Sequence, residues 1–273
     1  KARLKAYLGT DYFDYGVFTP GCILMQPAAL VTGLARSMPA NVEIYEESAV
    51  SEFSDGATKS LNTAEGSVTT PRVILATNGW TPAFGFLERQ LLTMHTFASL
   101  TRPLTKQEQA ELGGEGDWGT IPSTLGATTM RYTQDHRLLI RRSLRYRPDF
   151  SIVPSDLIQI RREHEDTLRK RFAMLPDLEF EDTWGGVLCF SRNHVPKCGA
   201  LADGIWAAVC QNGVGAAKGT ISGRAVAELA TGADTDLVAD MTAYEELQRF
   251  PPAFITNLAF RARIAHAEFT AGK

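Results

Sequence analysis

The stretch 207–230, AAVCQNGVGAAKGTISGRAVAELA, constrains the fold more than any other part of the chain. An apolar run from Ile205 to Cys210 has the length and composition of a buried strand. A turn, Gln211-Asn212-Gly213-Val214-Gly215, leads from it into an alanine-rich segment with Ala217, Ile221, Ala225 and Leu229 at helical spacing. A strand that feeds a helix through a glycine turn leaves the first N–H groups of that helix without acceptors. It also places about half a positive charge at the helix mouth. Glycine at 213 and 215 lets a flat ligand approach the backbone, and such a mouth asks for an anionic or carbonyl-rich partner. Asn212 can either cap the helix or touch that partner.

Flanking segments give the architecture. Arg72–Ala76 reads as a strand buried on both faces, ending at the turn Thr77-Asn78-Gly79-Trp80, where Gly79 can take a positive φ. Pro27 opens a helix with an apolar face of Ala28, Leu30, Val31, Leu34, Ala35 and Met38. Asn41–Glu46 and Ala49–Phe53 read as strands, and Ser54-Asp55-Gly56-Ala57 as a hairpin with Asp-Gly in a type I′ turn. Strands are expected over 92–101, 128–133, 137–141 and 180–190, with a short helix at 106–112 and a connection over 143–155. The long helix 156–175 carries Leu157, Ile160, His164, Leu168 and Phe172 on one side, with Glu165–Arg169 and Asp166–Lys170 as spaced ion pairs.

The fold class is therefore α/β with an α+β insert. The order divides into 1–90, part of a ligand-binding domain; 91–185, an antiparallel-sheet domain with a helix; 186–232, the central strand and helix; and 233–273, a helical tail broken at Pro251-Pro252. A formal net charge of −3 with scattered basic residues gives no electrostatic case for nucleic acid or anionic membrane. Four cysteines without a CxxC, and five histidines without an HxxxH, predict neither a structural metal nor a disulfide framework. No apolar run is long enough for a membrane span, and a cytoplasmic protein is expected.

The pieces together resemble the C-terminal two-thirds of the D-amino-acid-oxidase-like FAD-dependent oxidoreductases, with the gamma-glutamylputrescine oxidase group as the nearest branch. The resemblance is carried by GVFTPGCILMQPAALVTGLA (16–35), ESAVSEF (47–53), VILATNGW (73–80) and SLTRPLT (99–105). Further on it is carried by RYTQDHRLLI (131–140), WGGVLCFSRNHVPKCG (184–199) and QNGVGAAKGTISGRAVAELATG (211–232). It implies an incomplete FAD-binding Rossmann-like domain, interleaved with an antiparallel-sheet substrate domain and lacking the N-terminal βαβ unit with its GxGxxG. It implies further that Val50, Ala76, Thr77, Asn78, Gly79, Gly185, Gly186, Asn212, Gly213, Val214 and Gly215 approach FAD, and that His95, Arg131 and Tyr132 are pocket candidates. Only one of Arg131 and Tyr132 can face a pocket, because neighbours on a strand point to opposite sides.

The implied activity is oxidation of an amine or amino acid by hydride transfer from a C–N bond to the flavin. The catalytic residues are unassigned. The missing unit implies that FAD is held weakly or not at all and that the chain is inactive alone, unless a preceding segment or a partner chain completes it. Departures from the family pattern at Asn193, Val214 and Arg141-Arg142 support the alternative of a non-catalytic remnant or interaction domain. An NAD-linked dehydrogenase is disfavoured because no fingerprint glycines follow a first strand.

Overall fold

A computed structural model describes residues 1–123, 127–147 and 150–271, the side chains of 267–271 excepted. Pro148, in the expected 143–155 connection, lies outside the described residues. In chain order the elements begin with α1 (Ala2–Leu8), α2 (Pro27–Arg36), β1 (Glu52–Ser54), β2 (Lys59–Asn62), β3 (Ser67–Thr70), β4 (Val73–Leu75) and a 3-10 helix (Asn78–Phe84). The middle of the chain forms β5 (Leu91–Thr101), α3 (Lys106–Leu112), β6 (Trp118–Thr120), β7 (Thr129–Tyr132), β8 (Leu138–Arg145) and α4 (Pro154–Arg171). Last come β9 (Phe180–Ser191), β10 (Lys197–Ala202), β11 (Ile205–Val209), α5 (Gly215–Ala230), α6 (Asp236–Thr242) and α7 (Ala253–Ala271). These elements gather into two compact units, one of residues 1–25, 94–187 and 257–273, the other of 26–93 and 188–256.

The first unit is built on a sheet ordered β6-β7-β8-β5-β9, antiparallel through β6, β7, β8 and β5. Helix α4 lies on one face of it. Met130, Tyr132, Leu138 and Ile140 of the sheet pack there with Leu168 and Phe172. Polar groups fix the same face, for Ser99 Oγ lies 2.8 Å from His164 Nδ1 and 2.9 Å from Thr183 Oγ1. The expected stripe of α4 is seen in Ile160, His164 and Leu168, joined by Thr167. Asp166 pairs with Arg169 at 3.1 Å rather than with Lys170, and the helix ends at Arg171, ahead of Pro176. A capping box at Thr105 starts α3, and Arg102 reinforces it by gripping Glu108 with both terminal nitrogens, at 2.8 and 2.7 Å.

The second unit holds a β1-β2-β3 meander and a mixed sheet ordered β10-β11-β4, in which β11 runs antiparallel to β10 and parallel to β4. Helix α5 packs on β10 and β11. Several expectations are corrected here. Residues 41–46 form no strand: Val42 and Ile44 alternate suitably but find no partner strand, and Val42, Ile44 and Tyr45 are all exposed. The Ser54–Ala57 hairpin exists, yet neither Asp55 nor Gly56 has a positive φ, so its turn is not type I′. Strand β4 buries Val73 and Leu75 but leaves Ile74 42% exposed, so it is covered on one face only. The stripe that α5 buries is Ser222, Ala225, Val226 and Ala230, whereas Ile221 is 47% exposed. Helix α2 starts at Pro27 with Gln26 capping it, but it buries none of its residues, and Leu30, Val31 and Leu34 lie open.

Candidate functional site

Parallel pairing of β4 with β11 sets Leu75 opposite Ala207 and brings the C-terminal ends of both strands to one place. There the Asn78 side-chain oxygen accepts the backbone N–H of Cys210 at 3.0 Å. Asn78, not Gly79, adopts the left-handed conformation (φ 49°), and Gly79 is buried in the 3-10 helix. Asparagine tolerates that region because its short amide can bond locally. Thr77 Oγ1 lies 3.1 Å from Thr81 Oγ1, and Ala76 is exposed at the strand end.

The chain then reverses through three positive-φ residues, Cys210 (63°), Asn212 (52°) and Gly213 (80°). Asn212 is not the N-cap of α5. Its oxygen accepts the Ser191 N–H at 3.0 Å and its nitrogen donates to the Cys210 carbonyl at 3.0 Å, which ties the turn to the end of β9. The N-cap is Val214, whose side chain cannot cap, and no acidic residue stands in the first turn of α5. The N–H groups of Gly215, Ala216 and Ala217 therefore have no acceptor within the helix, and the dipole charge at its mouth is uncompensated. Gly213, Val214 and Gly215 are exposed, and a Cβ on Gly215 would meet nothing within 4 Å. The mouth is open and electropositive.

Beneath it, the Cys189 thiol is raised well above its ordinary range by its bond to Cys210 and by burial, and stays protonated. Lys218, in the first turn of α5, is half-buried. Val50 lies half-buried just ahead of β1 rather than in a strand, and no described hydrogen bond joins it to the turn. Asn78, Cys210 and Ser191 as tethers of the turn escaped the sequence reading. The asparagine in each glycine turn was the available signal.

The other candidates belong to the first unit and divide between the two faces of its sheet. Tyr132 is buried under α4, its hydroxyl 3.1 Å from His136 Nδ1. His95 alternates along β5 with Phe97 and Ser99, which puts it on the α4 side. It is fully buried, and neither ring nitrogen has a partner among the described residues. Arg131 takes the opposite face, as alternation with Tyr132 requires. Arg131, His95 and Tyr132 thus do not converge on one pocket. Gly185 and Gly186 divide likewise. A Cβ on Gly185 would come within 2.8 Å of Phe97 and Ile152, whereas one on Gly186 would meet nothing within 4 Å. Both glycines run in the continuous strand β9.

The spacing GxGxxG does occur, at Gly114–Gly119, but it follows α3 and enters β6. A dinucleotide fingerprint needs the reverse order, strand into helix. Among the described residues no cluster of three or more His, Cys, Asp or Glu could hold a metal, and no helix is long and apolar enough to cross a membrane.

Residues 1–229 match the family described as DAO, FAD dependent oxidoreductase. The chain is similar to "Probable oxidoreductase OrdL" of Haemophilus influenzae, with 26% identity over 244 residues, 87% of this chain and 54% of that protein. It is similar also to the Rhizobium meliloti protein of the same name, with 27% identity over 251 residues, 89% of this chain and 55% of the other. The chain thus spans about half the length of these curated relatives. Among solved structures, glycine oxidase from Geobacillus kaustophilus shares the fold (TM-score 0.58, 15% identity, 75% of this chain and 54% of that one). L-Proline dehydrogenase from P. horikoshii does so too (TM-score 0.57, 20% identity, 70% and 51%).

Proposed function

This chain belongs to the DAO family of FAD-dependent oxidoreductases, and we propose that it forms the flavin-facing and substrate-facing part of an enzyme that oxidises a C–N bond of an amine or amino acid. The observation that carries the reading is the uncapped mouth of α5, set beside the end of β4 by the Asn78–Cys210 hydrogen bond. Its backbone N–H groups fit a ring edge that is carbonyl-bearing when oxidised and negative when reduced, and such a charge is favoured at a helix N-terminus. When bound, FAD supplies the two-electron acceptor for the substrate carbon–nitrogen bond.

The chain's own residues hold that mouth in place. Asn212 fixes the turn to β9, Asn78 fixes it to β4, and Gly213 and Gly215 keep side chains out of the approach. No acid–base pair is needed at this point, because orientation and electrostatics suffice for transfer from an uncharged amine. The ADP half of the cofactor has no strand–GxGxxG–helix unit among these 273 residues. We assign it to a further segment or a second chain, which would also cover the exposed apolar side of α2 and so make high-affinity flavin binding possible. The isolated 273-residue chain is then expected to hold FAD weakly and to turn over little or no substrate.

Thermal unfolding at increasing FAD tests this reading. A ligand that binds only the folded state raises the melting temperature with concentration, and NAD at the same concentrations serves as the control. A rise with FAD and none with NAD supports the reading. Equal responses, or none to FAD at millimolar concentration, refute it.

A further inference from the structure

Arg131 on β7 and Arg141 on β8 stand on one face of the five-stranded sheet, the face away from α4. Thr129 is opposite Arg141 and Arg131 is opposite Leu139 in the register, which makes the two arginines diagonal neighbours. Arg131 donates to the Thr120 and Met130 carbonyls at 3.0 and 2.7 Å. Arg141 donates to Thr96 Oγ1 at 3.4 Å and Thr129 Oγ1 at 2.6 Å. Every one of these acceptors is neutral. Both side chains are half-buried, and among the described residues neither forms an ion pair, although arginines elsewhere in the same unit find carboxylates, as Arg102 does with Glu108.

Burial lowers the pKa of both guanidinium groups, and for Arg141 the neighbouring Arg131 lowers it further. Two like charges held together and partly withdrawn from water, with no counter-ion, are costly unless a ligand supplies the opposite charge. A guanidinium carries five N–H donors. The bonds named above engage two on each arginine, and none of the remaining nitrogens is among the buried unpaired atoms of the described residues. Trp184, 42% exposed, and Gly186 lie on the same face by alternation with Thr183 and Gly185.

We propose that Arg131 and Arg141 form a paired-guanidinium anchor for a dicarboxylate substrate, an amine or amino acid bearing two carboxylates. The proposal rests on the amine-oxidation reading above for the identity of the ligand as substrate. Planar forks match carboxylates in bidentate fashion, and two of them neutralise two charges. A diamine without carboxylates, such as putrescine, would be repelled from this face.

The test is calorimetric titration of the 273-residue chain at low salt with glutarate, butyrate, inorganic phosphate and putrescine, and with FAD in parallel. Glutarate should bind saturably and at least about tenfold more tightly than butyrate, since charged hydrogen bonds of this kind are each strong. Putrescine should not bind. Arg141→Gln should abolish the preference for glutarate over butyrate, and Arg141→Lys, which keeps the charge and loses the fork, should reduce it. Equal binding of glutarate and butyrate by the parent chain, tighter binding of phosphate than of glutarate, or an unchanged preference in the folded lysine variant overturns the anchor. FAD binding without glutarate preference overturns the anchor alone, and glutarate preference without FAD binding overturns the proposed function alone.

Discussion

The Asn78 side chain accepts the backbone N–H of Cys210 at 3.0 Å, a bond between residues 132 positions apart that locks together the ends of two parallel strands. Cys210 is fully buried, so its N–H has no water to turn to. Asn78→Ala should therefore cost about 1–3 kcal/mol, the penalty for a stranded buried donor. It should also loosen the α5 mouth, so that weaker FAD binding accompanies the loss. Asn78→Asp keeps the acceptor and should recover most of the stability. Urea unfolding of both variants, alongside FAD titration, checks the pair. Equal midpoints for the alanine variant and the parent would show that the bond holds nothing.

The mouth of α5 lacks any negative charge, and Ala216 is exposed in its first turn. Ala216→Asp should raise helix stability by about 0.3–1 kcal/mol through the dipole. The same carboxylate would occupy the electropositive spot assigned to the flavin. A more stable protein with weaker FAD affinity is the expected outcome, and these opposite signs separate a binding effect from damage to the fold. An Ala216→Asp chain that is stabilised and binds FAD as well as the parent would remove the helix mouth from the site.

How far the sequence revealed this site follows from which signals are local. The turn at Gly213–Gly215, the helix after it and the strand ending at Leu75 all rest on patterns within about ten residues, and the structure has them. Asn212 looked like a cap because it precedes a helix in sequence. Its amide turned instead to Ser191, 21 positions away, and no local pattern encodes that choice. Val42-Glu43-Ile44-Tyr45 has the alternation of a strand without a neighbouring strand to pair with. Ile221 and Ser222 exchanged places at the buried face of α5 because a small residue packs closer to β10, where the Cys198 thiol donates to the Ser222 carbonyl. Arg141 read only as a departure from the family pattern. That it faces the same side as Arg131 became visible only with the β7–β8 register.

His164 is buried with its Nδ1 against Ser99, and burial lowers its pKa from 6.5 to about 4. The folded protein thus prefers the neutral ring. Its contribution is fully present above pH 6.5 and is lost as the pH falls from there towards about 4. The gap corresponds to at most about 3 kcal/mol. Glu108, held near 2 by Arg102, loses its contribution only as pH falls from 4.5 to about 2, so the window from 6.5 to 4.5 isolates the histidine. Stability by urea unfolding should drop over that window in the parent and stay nearly flat in His164→Gln. Matching slopes in the two proteins would assign the acid sensitivity elsewhere.

Gly185 and Gly186 stand side by side in β9 and should respond oppositely to alanine. At Gly185 the new methyl would lie within 2.8 Å of both Phe97 and Ile152, and Phe97 is 1% exposed, with little room to yield. Gly185→Ala should then cost about 1–3 kcal/mol by overpacking. At Gly186 no atom lies within 4 Å of the added methyl, so Gly186→Ala should leave stability unchanged or raise it by up to about 1 kcal/mol by removing glycine's freedom in the unfolded chain. That methyl would also stand on the face carrying Arg131 and Arg141. Glutarate affinity should consequently fall in the stable Gly186→Ala protein, whereas in Gly185→Ala any loss should track the loss of folded protein. Measuring melting temperature and glutarate binding on both variants distinguishes a ligand-bearing face from a merely solvated one. Unaltered glutarate binding in Gly186→Ala would confine the ligand to the arginines and clear it from β9.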